Sequence, residues 1–204
     1  MGESTNTIAY SYDGINWTGL SNTIFSVRGN GSFCNGNLWV AVGEGASNTL
    51  AYSSNNGLSW TGNGNFIFSI SGRGVSWNGD IFVAVGEGTN TIAYSSDGIN
   101  WTGIGSFVFT TRGNSVAWNG EIFVAVGEGT NTIAYSYDGI TWIGIGTVLL
   151  SGKGLGVVWN GKMFVVVGSS SYPTGIIAFS SNGMQWRTAN STVFTTQCNK
   201  ISFT

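Results

Sequence analysis

The sequence predicts an all-β fold made of tandem four-stranded units, and three observations support this prediction. Turn formers abound and charge is scarce: there are 33 Gly and one Pro, 8% of residues are charged and 14% are aromatic. The segment Ile81–Ser95 recurs without change at Ile122–Ser136. Tryptophans that follow a Gly-containing turn recur every 41 to 44 residues, at Trp17, Trp60, Trp101, Trp142 and Trp186. A period of about 40–45 residues built from four short strands is typical of a β-propeller.

One repeat unit shows where the strands and turns are expected. Its four strands are predicted at Gly74–Trp77, Ile81–Val85, Thr91–Ser95 and Asn100–Gly103. Asn78-Gly79 joins the first two strands, and this dipeptide predicts a type I′ hairpin. The same dipeptide recurs at Asn35, Asn119 and Asn160. The second strand is apolar on both faces, as expected for a strand held between neighbouring blades.

Counting strands predicts a single domain over 1–204, a five-bladed β-propeller of four-stranded antiparallel blades. Four repeats are expected at about 27–62, 72–103, 112–144 and 154–188. A composite fifth blade would close the ring by combining 1–19 with an inner strand in 198–204, at Lys200–Phe203. That blade lacks one strand, because nothing in it matches Asn78–Val85.

Three interpretations of the missing strand remain open. A continuation of a longer chain would supply it, the blade would close with fewer strands, or a partner would donate a strand by β-augmentation. The third interpretation predicts strand donation or oligomerisation at the incomplete blade.

The turn before each recurring Trp resembles the Asp box, or BNR repeat, whose pattern is Ser-x-Asp-x-Gly-x-x-Trp. Ser53–Trp60 has the full spacing with Asn55 in place of Asp, and the other four copies are one residue shorter. The acidic or amide positions are Asp13, Asn55, Asp97, Asp138 and Asn182. In that family these turns are structural, so the resemblance implies the fold more than a function.

Blade length, blade number and richness in Gly and Trp are also similar to the tachylectin-type five-bladed lectins. That resemblance is one of architecture, and it implies sugar binding at near-equivalent sites, one in each blade. For the Asp-box carboxylates and tryptophans we favour a structural role over ligand contact.

The residue inventory argues against several function classes. The chain has no His, the commonest general base and metal ligand, and its two cysteines, Cys34 and Cys198, cannot form a dyad without one. Asp13, Asp97 and Asp138 fall one per blade, too far apart to share a metal ion, and no cofactor is expected. A net charge of −2 predicts no nucleic-acid binding. The apolar stretches are too short for membrane insertion, and the compartment stays unknown.

The candidate ligand-binding residues lie at the other end of each blade. The turn between the second and third strands carries Glu44, Glu87 and Glu128 with Asn48, Asn90 and Asn131, and the crossover to the next blade carries Arg28, Arg73 and Arg112. Phe25, Phe66 and Phe107 are candidates for a stacking surface. Such groups suit the hydroxyls and ring face of a neutral sugar. The alternative is a ring of surface ion pairs that only aligns the blades.

Two functions follow. The first is a non-catalytic, multivalent carbohydrate-binding module. The second is a structural or protein-interaction propeller, such as a virion or surface component or an engineered repeat protein. The Gly-Glu-Gly-Thr-Asn segment is kept nearly intact in three copies and degraded at Gly168–Ser171, where Pro173 also intrudes. A binding pocket would need that segment and a scaffold would not, so the pattern favours a binding role, with glycans or a protein as the partner.

Overall fold

The computed structural model describes residues 1–169, 176–189, 194 and 196–202. Pro173 and the end of the predicted C-terminal strand, 203–204, lie outside these residues. All regular secondary structure in the described part is β, in eighteen strands, so the predicted all-β class is confirmed. The chain divides into two compact units, Met1–Gly103 and Ile104–Thr204.

The first unit holds a short hairpin and two four-stranded antiparallel sheets. The hairpin pairs β1 with β2, repeat I pairs β3 to β6 in order, and repeat II pairs β7 to β10 in order. The strands are β1 Ala9–Tyr10, β2 Thr18–Gly19, β3 Arg28–Cys34, β4 Trp39–Glu44, β5 Leu50–Ser53, β6 Thr61–Gly62, β7 Ser71–Trp77, β8 Phe82–Glu87, β9 Ile92–Ser95 and β10 Thr102–Gly103.

The second unit holds two further four-stranded antiparallel sheets. Repeat III pairs β11 to β14 in order, and repeat IV pairs β15 to β18 in order. The strands are β11 Arg112–Trp118, β12 Phe123–Glu128, β13 Ile133–Ser136, β14 Ile143–Gly144, β15 Lys153–Trp159, β16 Phe164–Ser169, β17 Ile177–Ser180 and β18 Arg187–Thr188.

The first strand of repeat II begins at Ser71, three residues before the predicted Gly74, and the first strand of every repeat contains a β-bulge. In β7 the register shifts between Gly72 and Gly74, which leaves Arg73 as the extra residue. The same shift occurs between Gly29 and Gly31 in β3. A bulge places two residues opposite one and turns a side chain toward a new direction. Arg73 is thus the counterpart of Asn30, and Ser71 is the counterpart of Arg28.

The Asn-Gly hairpins differ from the prediction in their turn type. Gly79 has a φ of 110°, whereas Asn78 is absent from the positive-φ residues, so the loop is Gly79-Asp80 and follows the type II′ pattern instead of type I′. The Asn78 side chain explains the difference. Its Oδ1 accepts the backbone N–H groups of Asp80 at 2.9 Å and Ile81 at 2.8 Å, so the asparagine closes the turn from outside.

The second strand of each repeat forms the core, as its apolar composition predicts. Phe82 is fully buried, and its ring centroid lies 4.4 Å from that of Trp77 and 6.5 Å from that of Trp101. Repeat III has the same arrangement around Phe123. The recurring Trp thus packs on the second strand of its own repeat. Each such ring pair stabilises the fold by about 0.5–1.5 kcal/mol beyond the hydrophobic contribution of the area that it buries.

The N-terminal hairpin has the local geometry of the last two strands of a repeat. The Gly2 N–H donates to the Thr7 carbonyl at 3.0 Å, as Gly86 does to Thr91 at 3.0 Å. Within the second unit, the C-terminal segment lies beside the first strand of repeat IV, as the first strand of repeat II lies beside that of repeat I. A Cβ on Gly156 would lie 3.4 Å from the Ile201 backbone nitrogen, and a Cβ on Gly31 would lie 3.6 Å from the Arg73 carbonyl oxygen in repeat I.

Candidate functional site

The predicted Arg and Glu residues form ion pairs at the end of each repeat where the second strand finishes. Arg28 donates from Nε and Nη2 to Glu44 Oε2 at 2.9 and 2.8 Å. Arg73 Nη2 lies 2.7 Å from Glu87 Oε2. Arg112 Nη2 lies 2.8 Å from Glu128 Oε1. The structure therefore brings together each Arg and Glu that the sequence places in one repeat.

Repeat III holds the most enclosed of these pairs. Glu128 is 8% exposed, and its carboxylate meets Arg112, Asn114 Nδ2 at 3.4 Å and Lys153 Nζ at 3.6 Å. Asn114 also donates to the Gly154 carbonyl at 2.8 Å, which links repeats III and IV within the second unit. A carboxylate held by three donors serves mainly to align strands, because most of its acceptor positions are occupied.

Arg73 does not occupy the position of the other two arginines. Arg28 and Arg112 each lie directly opposite the glutamate of their own repeat, whereas Ser71 takes that place in repeat II. Arg73 is the bulge residue, at the position of Asn30 and Asn114, and it reaches Glu87 from there. The sequence already contains this offset, because Arg73 lies five residues before its Asn-Gly turn, whereas Arg28 and Arg112 lie seven residues before theirs.

Charges of the first unit converge on Arg28. The hydrogen bond and charge of Glu44 raise the pKa of Arg28 above its ordinary value, with further contributions from Glu3 and Glu87. Glu3 also forms a β-bridge with Arg28. Arg28 therefore lies among three carboxylates, which stabilise its guanidinium and leave it little capacity to bind an anionic ligand.

The three predicted asparagines are bound to the backbone. Asn131 donates from Nδ2 to the Val108 carbonyl at 2.7 Å and accepts the Gly146 N–H at 2.8 Å. Asn48 makes the same two kinds of bond, to the Ile24 carbonyl and from the Gly64 N–H. Asn90 donates to the Ile67 carbonyl at 2.8 Å. Each amide thus clamps the turn after the second strand to a crossover segment.

The crossover segments present exposed aromatic side chains on this face. Phe66 is 83% exposed and Phe107 is 85% exposed, at equivalent positions of their repeats. Each ring lies on a glycine, since a Cβ on Gly64 would be 3.0 Å from the Phe66 ring and a Cβ on Gly105 would be 2.9 Å from the Phe107 ring. We call these two rings, with the glycines beneath them, the aromatic platforms.

The expected stacking role of Phe25 is wrong. Phe25 is fully buried and packs with Ile8, Ala41 and Ala51, because it is the counterpart of the buried Phe68 and Phe109. The counterpart of Phe66 in that crossover is Thr23, and in repeat IV it is Val148. The error is one of alignment: when the repeats are matched at their Asn-Gly turns, the segment 23–26 falls on 66–69, so Phe25 corresponds to the buried Phe68 and not to the exposed Phe66.

The first-unit crossover joins the turns of two successive repeats. Asn65 Nδ2 donates to the Ala46 carbonyl of repeat I at 3.2 Å, and the Thr89 N–H of repeat II donates to Ser69 Oγ at 3.0 Å. Phe66 lies between these two anchor points in the chain. The segment that carries the exposed ring is therefore fixed on both sides of Phe66. Polar backbone groups of the two turns lie close to it.

The turns before the recurring tryptophans lie at the opposite end of each repeat. Asp97 Oδ1 accepts the N–H groups of Ile99 at 2.8 Å and Asn100 at 2.7 Å, and Trp101 Nε1 donates to the Gly98 carbonyl at 3.1 Å. Burial works to raise the pKa of Asp97, but the hydrogen bonds from Asn100, Ile99 and Ser95 outweigh it and lower the pKa to about 2. The same kind of hydrogen bonds lower the pKa of Asp13 and Asp138.

A cavity of about 270 Å³ in the first unit was not anticipated from the sequence. It lies between the N-terminal hairpin and repeat I, and its walls include Trp17, Trp39, Trp60, Tyr10 and Ser32. A second cavity, of about 330 Å³, lies at the outer edge of repeat IV beside Trp186 and Arg187. The sequence contains one signal for the first cavity, which is the strand missing from the predicted fifth blade, because a missing strand leaves space beside its neighbours.

Two kinds of feature do not occur among the described residues. No group of three or more His, Cys, Asp or Glu side chains is arranged to hold a metal ion there. No helix in the described part is long and apolar enough to cross a membrane.

Among solved structures, the chain is similar to the computationally designed Ika8 protein, with a TM-score of 0.59 and 13% identity over 92% of this chain and 57% of that chain. It is similar to a chain of a nidogen/laminin complex, with a TM-score of 0.67 and 12% identity over 95% and 75% of the two chains. It is also similar to the GH74 enzyme of Niastella koreensis, with a TM-score of 0.58 and 19% identity over 92% and 29%.

At these identities the likeness shows the fold alone, and the fold is a β-propeller. The chain spans little more than half of the Ika8 chain and under a third of the GH74 chain. It matches no protein-family model and no curated protein.

Proposed function

We propose that the chain is a non-catalytic, multivalent carbohydrate-binding propeller whose sugars stack on the aromatic platforms. The observation that carries this proposal is the equivalent exposure of Phe66 and Phe107, at 83% and 85%, while Phe68 and Phe109 two residues later are fully buried. Exposing a large aromatic ring to water is unfavourable compared with burying it. Such a ring at the same place in successive repeats therefore indicates a surface that a ligand covers.

The groups around the platforms suit a neutral sugar. Backbone N–H and C=O groups of Gly-rich turns offer hydrogen bonds to hydroxyls, and a ring face packs against the C–H groups of a pyranose. The Arg–Glu pairs and the clamping asparagines support the site from behind by fixing the turns. Glu44, Glu87, Glu128 and the three arginines are therefore proposed as positioning residues more than direct ligand contacts.

The finer description of the fold is part of the same proposal. The turns with Asp13, Asn55, Asp97, Asp138 and Asn182 are Asp boxes, and the propeller has five blades. The N-terminal hairpin and the segment at Ile201 are the parts of the fifth blade. Their local bonds, described above for each unit separately, support this proposal, because each repeats the geometry of the corresponding strands in a complete repeat.

A glycan array on the purified chain tests the function. The expected result is binding to a related set of sugars, weakened at least fivefold by the double substitution Phe66→Ala/Phe107→Ala, since a stacking contact is worth about 1 kcal/mol per ring. Val148→Ala is the matched control, because Val148 is 93% exposed at the equivalent position without a ring. A folded protein that binds no glycan on the array would contradict the proposal and favour a scaffold role.

A further inference from the structure

The cavity beside the N-terminal hairpin is open along one strand edge. Among the described residues, β1 pairs with β2 and with no second strand. The Ile8 carbonyl accepts the Leu20 N–H at 2.9 Å on the β2 side. Because the backbone groups of successive residues point to opposite sides of a strand, the N–H and C=O of Ala9 face the open edge. We call this edge, with the cavity walls, the open groove.

The complete repeats show what occupies the matching space. In repeat II the second strand, β8, pairs with β9 through Val83↔Tyr94, Ala84↔Ala93 and Val85↔Ile92. The residues of β1 matching Ala93 and Tyr94 are Ala9 and Tyr10, in the same register toward the fourth strand. The open groove is thus the place of a second strand.

Met1 lies where such a strand would end. A Cβ on Gly72 would meet the Thr49 carbonyl and the side chain of Val42, and a Cβ on Gly29 would meet the Thr7 carbonyl and the Met1 sulfur. Met1 therefore takes the position of the last valine of a second strand.

Side chains around the open groove lack the cover that complete repeats provide. Trp17 is 64% exposed, whereas Trp101 is half-buried against Phe82. A Cβ on Gly98 would meet Leu38 and Val40 of the preceding repeat, but a Cβ on Gly57 would meet only Trp60, at 3.8 Å. The exposed surface matches in position and in apolar character the side chains that a second strand would cover.

We propose that the open groove binds an extended polypeptide segment whose sequence follows the second-strand pattern of an aromatic residue and three small apolar residues, as in Phe-Val-Ala-Val. The segment adds to β1 as an antiparallel strand. Its Ala and Phe positions exchange backbone hydrogen bonds with Ala9 and Ser11, and its aromatic ring packs on Trp17. The bound segment is expected to be apolar on both faces, because its counterpart in repeat II, Phe82–Val85, is fully buried.

The experiment uses the full chain and a fluorescein-labelled peptide with the sequence Asn-Gly-Asp-Ile-Phe-Val-Ala-Val, which copies Asn78–Val85. Fluorescence anisotropy is expected to show saturable binding. Replacing the peptide's Phe by Ala, or methylating the backbone nitrogen of its Ala, is expected to weaken binding at least about tenfold, because each change removes one contact argued above.

Two protein variants locate the site. Ser32→Trp fills the open groove from an exposed wall residue and is expected to weaken peptide binding, whereas Asn37→Trp adds the same side chain at an exposed hairpin position outside it. Phe66→Ala/Phe107→Ala is expected to leave peptide binding unchanged, which separates this inference from the proposed glycan site. No saturable binding, equal binding of a scrambled peptide, or insensitivity to both Ser32→Trp and the altered peptides would overturn the inference.

Discussion

The carboxylates in the turns before the recurring tryptophans stabilise those turns, and we assign them no contact with a ligand. Asp97 accepts backbone N–H groups at 2.7 and 2.8 Å, and Asn182 accepts the equivalent groups at 3.0 and 3.1 Å. The shorter bonds of the carboxylate are the charge-assisted ones. The same turn is therefore closed by a charged side chain in some repeats and by a neutral one in others.

The Asp97→Asn substitution tests this interpretation through pH. A pKa lowered from 3.8 to about 2 means that the ionised form stabilises the fold above the unfolded-state pKa and that this stability is lost as pH falls toward 2. We expect Asp97→Asn to cost about 1 kcal/mol at neutral pH, since solvent screens the exposed group, and to reduce the loss of stability between about pH 4 and pH 2.

Urea unfolding of both proteins across this pH range measures the difference. Asp80→Asn is the control, because Asp80 is exposed in a hairpin where its neighbour Asn78 closes the turn. An acid dependence identical in the Asp97→Asn variant and the parent would show that the carboxylate does not stabilise the turn.

Among the elements, the crossover segments separate two roles that the sequence places two residues apart. Phe68 is fully buried, and Phe66 is 83% exposed on the same segment. Phe68→Ala is expected to lower the free energy of unfolding by about 3–5 kcal/mol. Phe66→Ala is expected to change it by less than about 0.5 kcal/mol, as is usual for surface positions.

Denaturant unfolding of the two variants checks this expectation in one experiment. Equal destabilisation would mean that Phe66 packs in the core and would remove the aromatic platform from the account. The comparison also serves the glycan experiment, since it shows that loss of binding in Phe66→Ala does not arise from loss of fold.

The elements also show how much the sequence could predict. Repeated Asn-Gly turns and the Trp period locate the four strands of each repeat to within a few residues, because turns and burial are local and periodic. The bulge at Arg73 and the burial of Phe25 escaped prediction. Aligning the repeats at their Asn-Gly turns matches Phe25 with Phe68 and Arg73 with Asn30, so these two correspondences are present in the sequence. The bulge itself is a property of strand pairing, which the sequence pattern does not show.

For the whole molecule, the proposed function depends on several weak sites acting together. Each compact unit carries one aromatic platform, Phe66 in the first and Phe107 in the second. Weak sites on one chain gain avidity on a surface that presents many copies of a sugar. The sequence indicated the face of the candidate glycan site, its repetition and the rings of Phe66 and Phe107, but it also included the buried Phe25, because the exposure of an individual ring follows from packing.

The most direct test of the central claim is to add a platform. Val148→Phe places a ring at the equivalent, 93% exposed position of repeat IV, and dissociation from a glycan-coated surface is then measured against the parent chain. The account predicts slower dissociation with unchanged sugar preference, because a third site adds avidity. Unchanged dissociation from a folded Val148→Phe variant would contradict the claim that an exposed ring on this face is what binds the sugar.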